Sequence, residues 1–243
     1  MPQEILVSAA ASLTDAFEPI GAAFAKNNRG TTVRFNFAAS GPLSQQILAG
    51  APVDVFASAS PREMDALAKA GKIEEATRVD FAGNRLVLIA PARARGGVKG
   101  WADLGSPAVR HVALSNPDSV PSGRYAVETL TRRGLWAAVR AKAVLGENVR
   151  QTLAYVAGGD ADAGLVFATD ARAEPRRARV VAVALPGTDH APIRYPTAVI
   201  RDSGKAPVAR RFVAFLRGRA AQQILARHGF APAAVPPRAS ARG

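Results

Sequence analysis

The stretch "EILVSAAASLTDAF", Glu4–Phe17, joins a strand-like apolar run to a helix through small residues and a serine. Apolar residues recur from its end at intervals of four, three and four, which places them on one helix face: Leu13, Phe17, Ile20 and Phe24. Ser12 stands at the start of this helix and Asp15 follows three residues later, a capping arrangement. The stretch therefore predicts a strand, a short turn and an amphipathic helix.

Further strand-like runs follow, with helical segments between them. The predicted strands are Glu4–Ser8, Thr32–Phe37, Val53–Ser58, Arg85–Ala90, His111–Ser115, Gly164–Ala168, Val180–Leu185 and Thr197–Ile200. Such alternation is typical of an α/β fold. The chain has 243 residues, 48% of them hydrophobic, which favours either two lobes or one large α/β domain.

Two breaks in this pattern are candidate hinges. Gly83 and Asn84 interrupt "FAGNR" just before a strong strand, and "APIRYP" at Ala191–Pro196 is the second break. If the chain crosses between lobes at both, residues 1–81 plus 196–243 form lobe 1 and residues 82–195 form lobe 2. The tail after about residue 231 is rich in Pro, Ala and Arg, and we expect it to be disordered.

The charge of the chain is strongly basic, with a formal net charge of +13 and a pI of about 11.2. The arginines are scattered and lack the interleaved aromatic residues of single-strand binders, so a solvated basic surface is favoured over a specific polyanion site. No apolar run approaches the roughly 18 residues of a membrane span, and we expect a soluble protein. The chain has no cysteine, which excludes disulfides and thiol chemistry but fits either compartment.

Enzyme motifs are missing from the sequence. It contains no GxxxxGK[ST], GxGxxG, GxSxG or HExxH pattern, and its three histidines share no ligand-type spacing. Asp160 and Asp162 in "GGDADAG" could pair at a metal, but the glycines favour a turn. We therefore expect no catalytic residue, no metal held by the protein's own carboxylates or histidines, and no cofactor.

Small polar turns recur instead where helices begin. Ser12 precedes the first helix, Ser40 opens "SGPLSQQI", Ser122 precedes a helix with Tyr125, and Asn148 precedes one beginning near Val149. Helix N-termini carry unpaired N–H groups and the positive end of the helix dipole, which suit an anion. Capping explains any one of these turns. Four of them, two from each predicted lobe, allow the hypothesis that they converge across a cleft on one small oxyanion.

With these turns in place, the sequence resembles the periplasmic molybdate-binding proteins of ABC transporters, a molybdate and tungstate family of type II periplasmic binding proteins. The resemblance rests on the order and spacing of "ILVSAAASLTDAF", "FAASGPLSQQILAGAPVDVFASAS", "VALSNPDSVPSGRYAVETL", "ENVRQTLAYVAGGDADAGLVFATDA" and "QQILARHGF". It implies a two-lobed α/β fold, each lobe a mainly parallel sheet flanked by helices, with the ligand cleft between the lobes.

The resemblance also implies a function. The protein would capture molybdate or tungstate and deliver it to an ABC transporter permease in the membrane, without catalysis. A periplasmic or other extracytoplasmic location, a monomer and no specific nucleic-acid partner are expected. The alternatives are a receptor for another tetrahedral oxyanion such as sulfate or phosphate, an effector-sensing domain, and a polyanion-binding protein.

Five positions match the binding residues of the family. Ser12 and Ser40 would supply hydroxyl and amide donors, and Ser122 and Val149 would supply backbone N–H groups. Phe167, in "GLVFATDA", stands where the family has a tyrosine in a strand such as "GIVYGSDA", and so lacks the hydroxyl. The Ser122 hydroxyl or a bridging water would compensate for this loss, or the site is weaker or takes a different anion.

Overall fold

A computed structural model describes residues 3–93 and 97–233, which form two five-stranded sheets flanked by helices. The strands in this part of the chain are β1 (Gln3–Ala10), β2 (Thr31–Ala38), β3 (Val55–Ala57), β4 (Val79–Asn84), β5 (Leu86–Pro91), β6 (Val112–Ser115), β7 (Ala143–Gly146), β8 (Ala163–Phe167), β9 (Ala178–Val183) and β10 (Ile193–Val199). This architecture confirms the predicted α/β class with two lobes.

The helices connect and cover these strands. They are α1 (Thr14–Asn27), α2 (Ser40–Leu48), α3 (Pro61–Lys69), α4 (Pro121–Arg132), α5 (Trp136–Arg140), α6 (Val149–Gly158), α7 (Ala168–Ala173), α8 (Ala206–Arg217) and α9 (Arg219–Arg227). A 3-10 helix, Ala11–Leu13, leads directly into α1. None of the described helices is both long and apolar enough to cross a lipid bilayer.

Each sheet is mixed, whereas the family resemblance implied mainly parallel sheets. The first has the strand order β2-β1-β3-β10-β4 and the second the order β7-β6-β8-β5-β9. The antiparallel pairings all involve β10 in the first sheet and β5 in the second. These are the strands that the chain forms immediately after crossing from one sheet to the other. Parallel neighbours are usually joined by a helical crossover, and no helix precedes β5 or β10 where the chain enters the sheet. Both strands therefore pair antiparallel with their neighbours.

The chain crosses between the sheets twice. It leaves the first sheet between Asn84 and Leu86 and returns to it between Val183 and Ile193. The predicted lobe limits, 1–81 plus 196–243 and 82–195, stay a prediction. β4 and β10 extend the first sheet a few residues beyond these limits. The disorder expected for the tail concerns mostly residues 234–243, which lie outside the described part of the chain.

Two strands were missed by the sequence pattern. β4 contains the Gly83 and Asn84 that indicated a hinge, yet it pairs along its length with β10. β7 is a four-residue edge strand whose Leu145 is 50% exposed. Short edge strands carry little of the apolar alternation on which strand prediction depends.

The predicted face of α1 packs in the core. Its four apolar residues are at most 1% exposed: Leu13, Phe17, Ile20 and Phe24. The Phe17 ring lies 5.7 Å from that of Phe81 and 6.3 Å from that of Phe212, measured between centroids. Such tilted and edge contacts add to the stabilisation from apolar burial. This packing fixes the turn that carries Ser12.

A buried carboxylate, Asp170, lies in α7, a helix that contacts α6 and the strands β5 and β8 of the second sheet. The Asp170 side chain is fully buried, and its Oδ1 lies 2.7 Å from Arg150 Nε. Burial raises the pKa of Asp170 to about 7, although Arg150 acts in the opposite direction. Between the ordinary value of 3.8 and this value, the folded state binds more protons than the unfolded state. The contribution of Asp170 to the free energy of unfolding therefore falls as the pH rises through this window.

We predict that Asp170→Asn flattens the pH dependence of stability between about pH 4 and pH 7, because it removes this proton uptake. Urea unfolding at several pH values measures the effect. Asp162→Asn is the matched control. Burial raises the pKa of Asp162, but the backbone N–H groups of His111 and Arg110 outweigh it and leave the pKa lowered. Asp162→Asn should lower the free energy of unfolding at pH values above the pKa of the Asp162 carboxyl, where the wild-type carboxylate accepts from these N–H groups. An unchanged slope in Asp170→Asn would contradict the assignment.

Candidate functional site

A small cavity lies between the two sheets and is lined by turns from both. The five residues predicted for the site all line it: Ser12, Ser40, Ser122, Val149 and Phe167. The remaining lining residues are Ala10, Ala11, Ala39, Ala59, Val120, Pro121 and Asn148. Its volume is about 10 Å³, far below the roughly 300 Å³ or more of pockets for drug-sized molecules. Only a compact ligand suits such a space.

The described residues that line the cavity carry no formal charge. They are alanine, serine, valine, proline, asparagine and phenylalanine, with no lysine or arginine among them. Ser40 and Ser122 are fully buried, and Ser12 is 3% exposed. Whatever binds here loses its water and meets neutral groups only.

Capping was the alternative interpretation of Ser12 and Ser40, and the structure shows that it is wrong. The N-terminus of α2 and that of the 3-10 helix before α1 each lack a side-chain cap. Ser40 Oγ instead accepts a hydrogen bond of 3.0 Å from the Ala59 N–H. Ser12 Oγ lies 2.8 Å from the Tyr195 hydroxyl. Both serines are held by partners distant in sequence, which local spacing could not show.

The Ser122 hydroxyl is directed away from the cavity by a chain of buried hydroxyls. Ser122 Oγ donates to Ser115 Oγ at 2.8 Å, and Ser115 Oγ lies 2.8 Å from Thr152 Oγ1. Thr152 Oγ1 in turn donates to the Asn148 carbonyl at 3.0 Å. Since a carbonyl only accepts, it fixes the direction of the chain, and the Ser122 proton is already used. The Ser122 hydroxyl therefore has no proton left with which to replace the donor that Phe167 lacks.

The first residues of two helices line the cavity. α4 begins at Pro121, which has no N–H, so Ser122 provides its first amide donor. At α6, Asn148 Oδ1 accepts from Arg150 N and Gln151 N at 2.9 and 3.0 Å. This cap leaves the Val149 N–H, which no carbonyl of its own helix can reach. The prediction that α6 begins at Val149 is confirmed.

Phe167 lies at the end of β8 and presents a ring without a donor. Its centroid is 6.0 Å from that of Tyr195 and 6.3 Å from that of Tyr125, in edge-on contacts. The Tyr195 hydroxyl accepts from Asn84 Nδ2 at 3.1 Å. Burial and then the nearby Asp170 raise the pKa of Tyr195 well above its ordinary value, so this phenol stays protonated. Tyr195 was not predicted as a site residue because it is 183 positions from Ser12.

Three contacts join the two lobes near the cavity. The Gly41 N–H donates to the Ser119 carbonyl at 3.1 Å. Arg150 of α6 binds Asp15 of α1 at 2.7 Å, and Arg124 of α4 binds the buried Glu63 of α3. Each contact lies close in sequence to a lining residue, since Gly41 follows Ser40, Arg150 follows Val149 and Arg124 is two residues after Ser122.

Gly41 permits this approach because it lacks a side chain. A Cβ added to it would lie 2.2 Å from the Ser119 carbonyl oxygen. Real Cβ atoms do not approach an oxygen this closely, so any other residue would push the two backbones apart.

Among the described residues, no third ligand side chain joins Asp160 and Asp162 at the alternative metal site. Among residues 3–93 and 97–233, no group of three or more His, Cys, Asp or Glu side chains is arranged to hold a metal ion. Asp162 Oδ2 instead accepts from the backbone N–H groups of Arg110 and His111 at 2.7 and 2.9 Å. Asp162 therefore organises the loop before β6.

Known proteins are similar to this chain in sequence and in architecture. The molybdate-binding protein ModA of Haemophilus influenzae is 35% identical over 232 residues, covering 93% of this chain and 89% of its own. A Bacillus subtilis relative, provisionally named an ABC transporter substrate-binding lipoprotein, is 35% identical over 226 residues. The match covers 93% of this chain and 85% of the relative. The Azotobacter vinelandii periplasmic molybdate-binding protein structure superimposes with a TM-score of 0.83 at 26% identity, covering 96% of this chain and 99% of its own.

The family comparison covers nearly the whole chain. The family described as bacterial extracellular solute-binding proteins matches residues 5–231, a range that includes both sheets and every residue predicted for the site. Its members are transport proteins that bind a solute and are not enzymes, in agreement with the absence of enzyme motifs. The chain belongs to this family of bacterial extracellular solute-binding proteins.

Proposed function

We propose that this protein captures molybdate or tungstate between its two lobes and delivers it to the membrane permease of an ABC transporter. The observation that carries the proposal is the cavity without charged residues in its described lining, where helix N-terminal residues from both lobes meet the two serines Ser12 and Ser40. The names of the relatives from Haemophilus and Azotobacter support molybdate as the ligand.

In this proposal the ligand is held by donors only. The hydroxyls of Ser12 and Ser40 and the backbone N–H groups of Ser122 and Val149 bind the anion's oxygens. The helix dipoles of α2, α4 and α6 place partial positive charge at the same point. Charge-assisted hydrogen bonds of this kind offset the desolvation of a dianion without a lysine or arginine.

Selectivity would follow from the size of the cavity and the number of donors. Molybdate and tungstate have nearly the same size, so we expect similar affinity for both. Sulfate is smaller and would leave some donors too distant from its oxygens. Phe167 lowers the number of donors, and a receptor for sulfate or phosphate is the second candidate for this reason.

Delivery would use the closed arrangement of the lobes. The contacts of Gly41, Arg150 and Arg124 across the cleft form on closure, and a permease would recognise the surface that closure creates. We place the hinge at the two crossings between the sheets. The family's extracellular role supports a periplasmic or other extracytoplasmic location. We further propose a monomer without a specific nucleic-acid partner.

Calorimetric titration of the ligand-stripped protein tests the function. Molybdate and tungstate should each bind tightly with one-to-one stoichiometry, while sulfate and phosphate give little heat at the same concentrations. A preference for sulfate or phosphate would replace the ligand assignment by the second candidate. Absence of binding to all four anions would reject the function.

Ser40 and Ser122 should respond differently to replacement by alanine. Ser40→Ala removes a hydroxyl whose proton is available to the ligand, so molybdate affinity should fall about 10- to 100-fold. Ser122→Ala removes a hydroxyl that donates to Ser115, and the affinity should change less than about threefold. Equal losses in the two variants would contradict the assigned hydrogen-bond directions. Thermal unfolding of both variants serves as the control for stability.

Closure should depend on the absence of a side chain at residue 41. Gly41→Ala should lower molybdate affinity at least about tenfold and abolish the ligand-induced decrease in the radius of gyration, because its Cβ would clash with the Ser119 carbonyl. Small-angle scattering with and without molybdate measures the compaction. Gly204→Ala is the control, since a Cβ there has nothing within 4 Å. Normal compaction of Gly41→Ala would show that closure does not need this contact.

A further inference from the structure

Tyr195 connects the cavity to the crossing between the sheets. The residue is fully buried, and its hydroxyl has two neighbours, Ser12 Oγ at 2.8 Å and Asn84 Nδ2 at 3.1 Å. Asn84 is the last residue of β4, at the point where the chain leaves the first sheet. Its Nδ2 also lies 3.0 Å from Thr169 Oγ1 in α7. A chain of buried polar groups therefore runs from the crossing to the cavity wall.

The direction of the hydrogen bonds in this chain is determined by the Asn84 amide. Asn84 Oδ1 accepts from the Arg85 N–H at 2.9 Å, which identifies the other amide atom as the donor nitrogen. Asn84 therefore donates to the Tyr195 oxygen. The Tyr195 proton must find its own acceptor, and Ser12 Oγ is the acceptor within reach among the described residues. The opposite direction would leave a buried phenol proton without a partner.

The consequence concerns Ser12. Once its oxygen accepts from Tyr195, its own proton is directed elsewhere, and Ser12 lines the cavity. We propose that Tyr195 is a positioning residue that turns the Ser12 O–H toward the bound oxyanion, an inference that rests on the proposed function. Tyr195 also polarises the Ser12 hydroxyl, because a hydroxyl that accepts a hydrogen bond becomes a stronger donor.

A double-mutant cycle with molybdate titration tests this role. Tyr195→Phe keeps the ring and its contacts with Phe167 and should lower the affinity about 3- to 10-fold. Ser12→Ala should lower it about 10- to 100-fold. Adding Tyr195→Phe to Ser12→Ala should cause no further loss, because the hydroxyl that Tyr195 positions is then absent. A purely structural role would instead lower the affinity by the same factor in both backgrounds and overturn the proposal.

Tyr125→Phe is the matched control. Tyr125 is the other tyrosine that packs edge-on against Phe167, and its hydroxyl makes no contact with Ser12 in the described structure. Its replacement should change the affinity less than about twofold. A loss equal to that of Tyr195→Phe would show that removing either tyrosine hydroxyl beside Phe167 lowers the affinity, whether or not it contacts Ser12, and would overturn the proposal.

Neutron diffraction of molybdate-bound crystals gives a second test that needs no variant. The Tyr195 deuteron should point to Ser12 Oγ, and the Ser12 deuteron should point to the ligand. A Ser12 deuteron directed at Tyr195 would overturn the proposal. Failure of the wild type to bind molybdate at all would instead reject the proposed function, so the two failures are distinguishable.

Discussion

Buried hydrogen-bond donors without acceptors are costly, and this constraint governs the region between the two sheets. Helices from both lobes begin there, and the described residues that line the cavity include none with a charge. The desolvation of N–H and O–H groups costs free energy unless an acceptor is supplied. A small anion supplies acceptors on every side at once. In the proposed function, an oxyanion in the cavity removes this cost.

The surrounding hydrogen bonds determine which groups remain free to donate. Ser40 accepts from a backbone amide and keeps its proton, whereas Ser122 gives its proton to Ser115. Two serines that look alike in the sequence therefore offer different chemistry. The arginines act elsewhere: Arg150 and Arg124 bind carboxylates across the cleft. They stabilise the contact between the lobes and, in the proposed function, leave the ligand to neutral donors.

Much of this arrangement could be predicted from the sequence. Apolar spacing identified α1, the polar turns identified Ser12, Ser40 and Ser122, and the family resemblance added Val149 and Phe167; these five are among the residues that line the cavity. The mixed sheets could not be predicted, because strand direction depends on where the chain enters a sheet. Tyr195 and Gly41 were missed as well. Their roles arise from contacts with Ser12 and Ser119, which are remote in sequence and leave no local pattern.

The central claim is that an oxyanion occupies the cavity between the helix N-termini and is held by neutral donors. Crystals grown with tungstate test it most directly, because tungsten gives a strong anomalous signal. The account predicts one tungsten peak within hydrogen-bonding reach, through its oxygens, of the Ser12 and Ser40 hydroxyls and the Ser122 and Val149 amides. A peak at the basic surface, with none in the cavity, would contradict it.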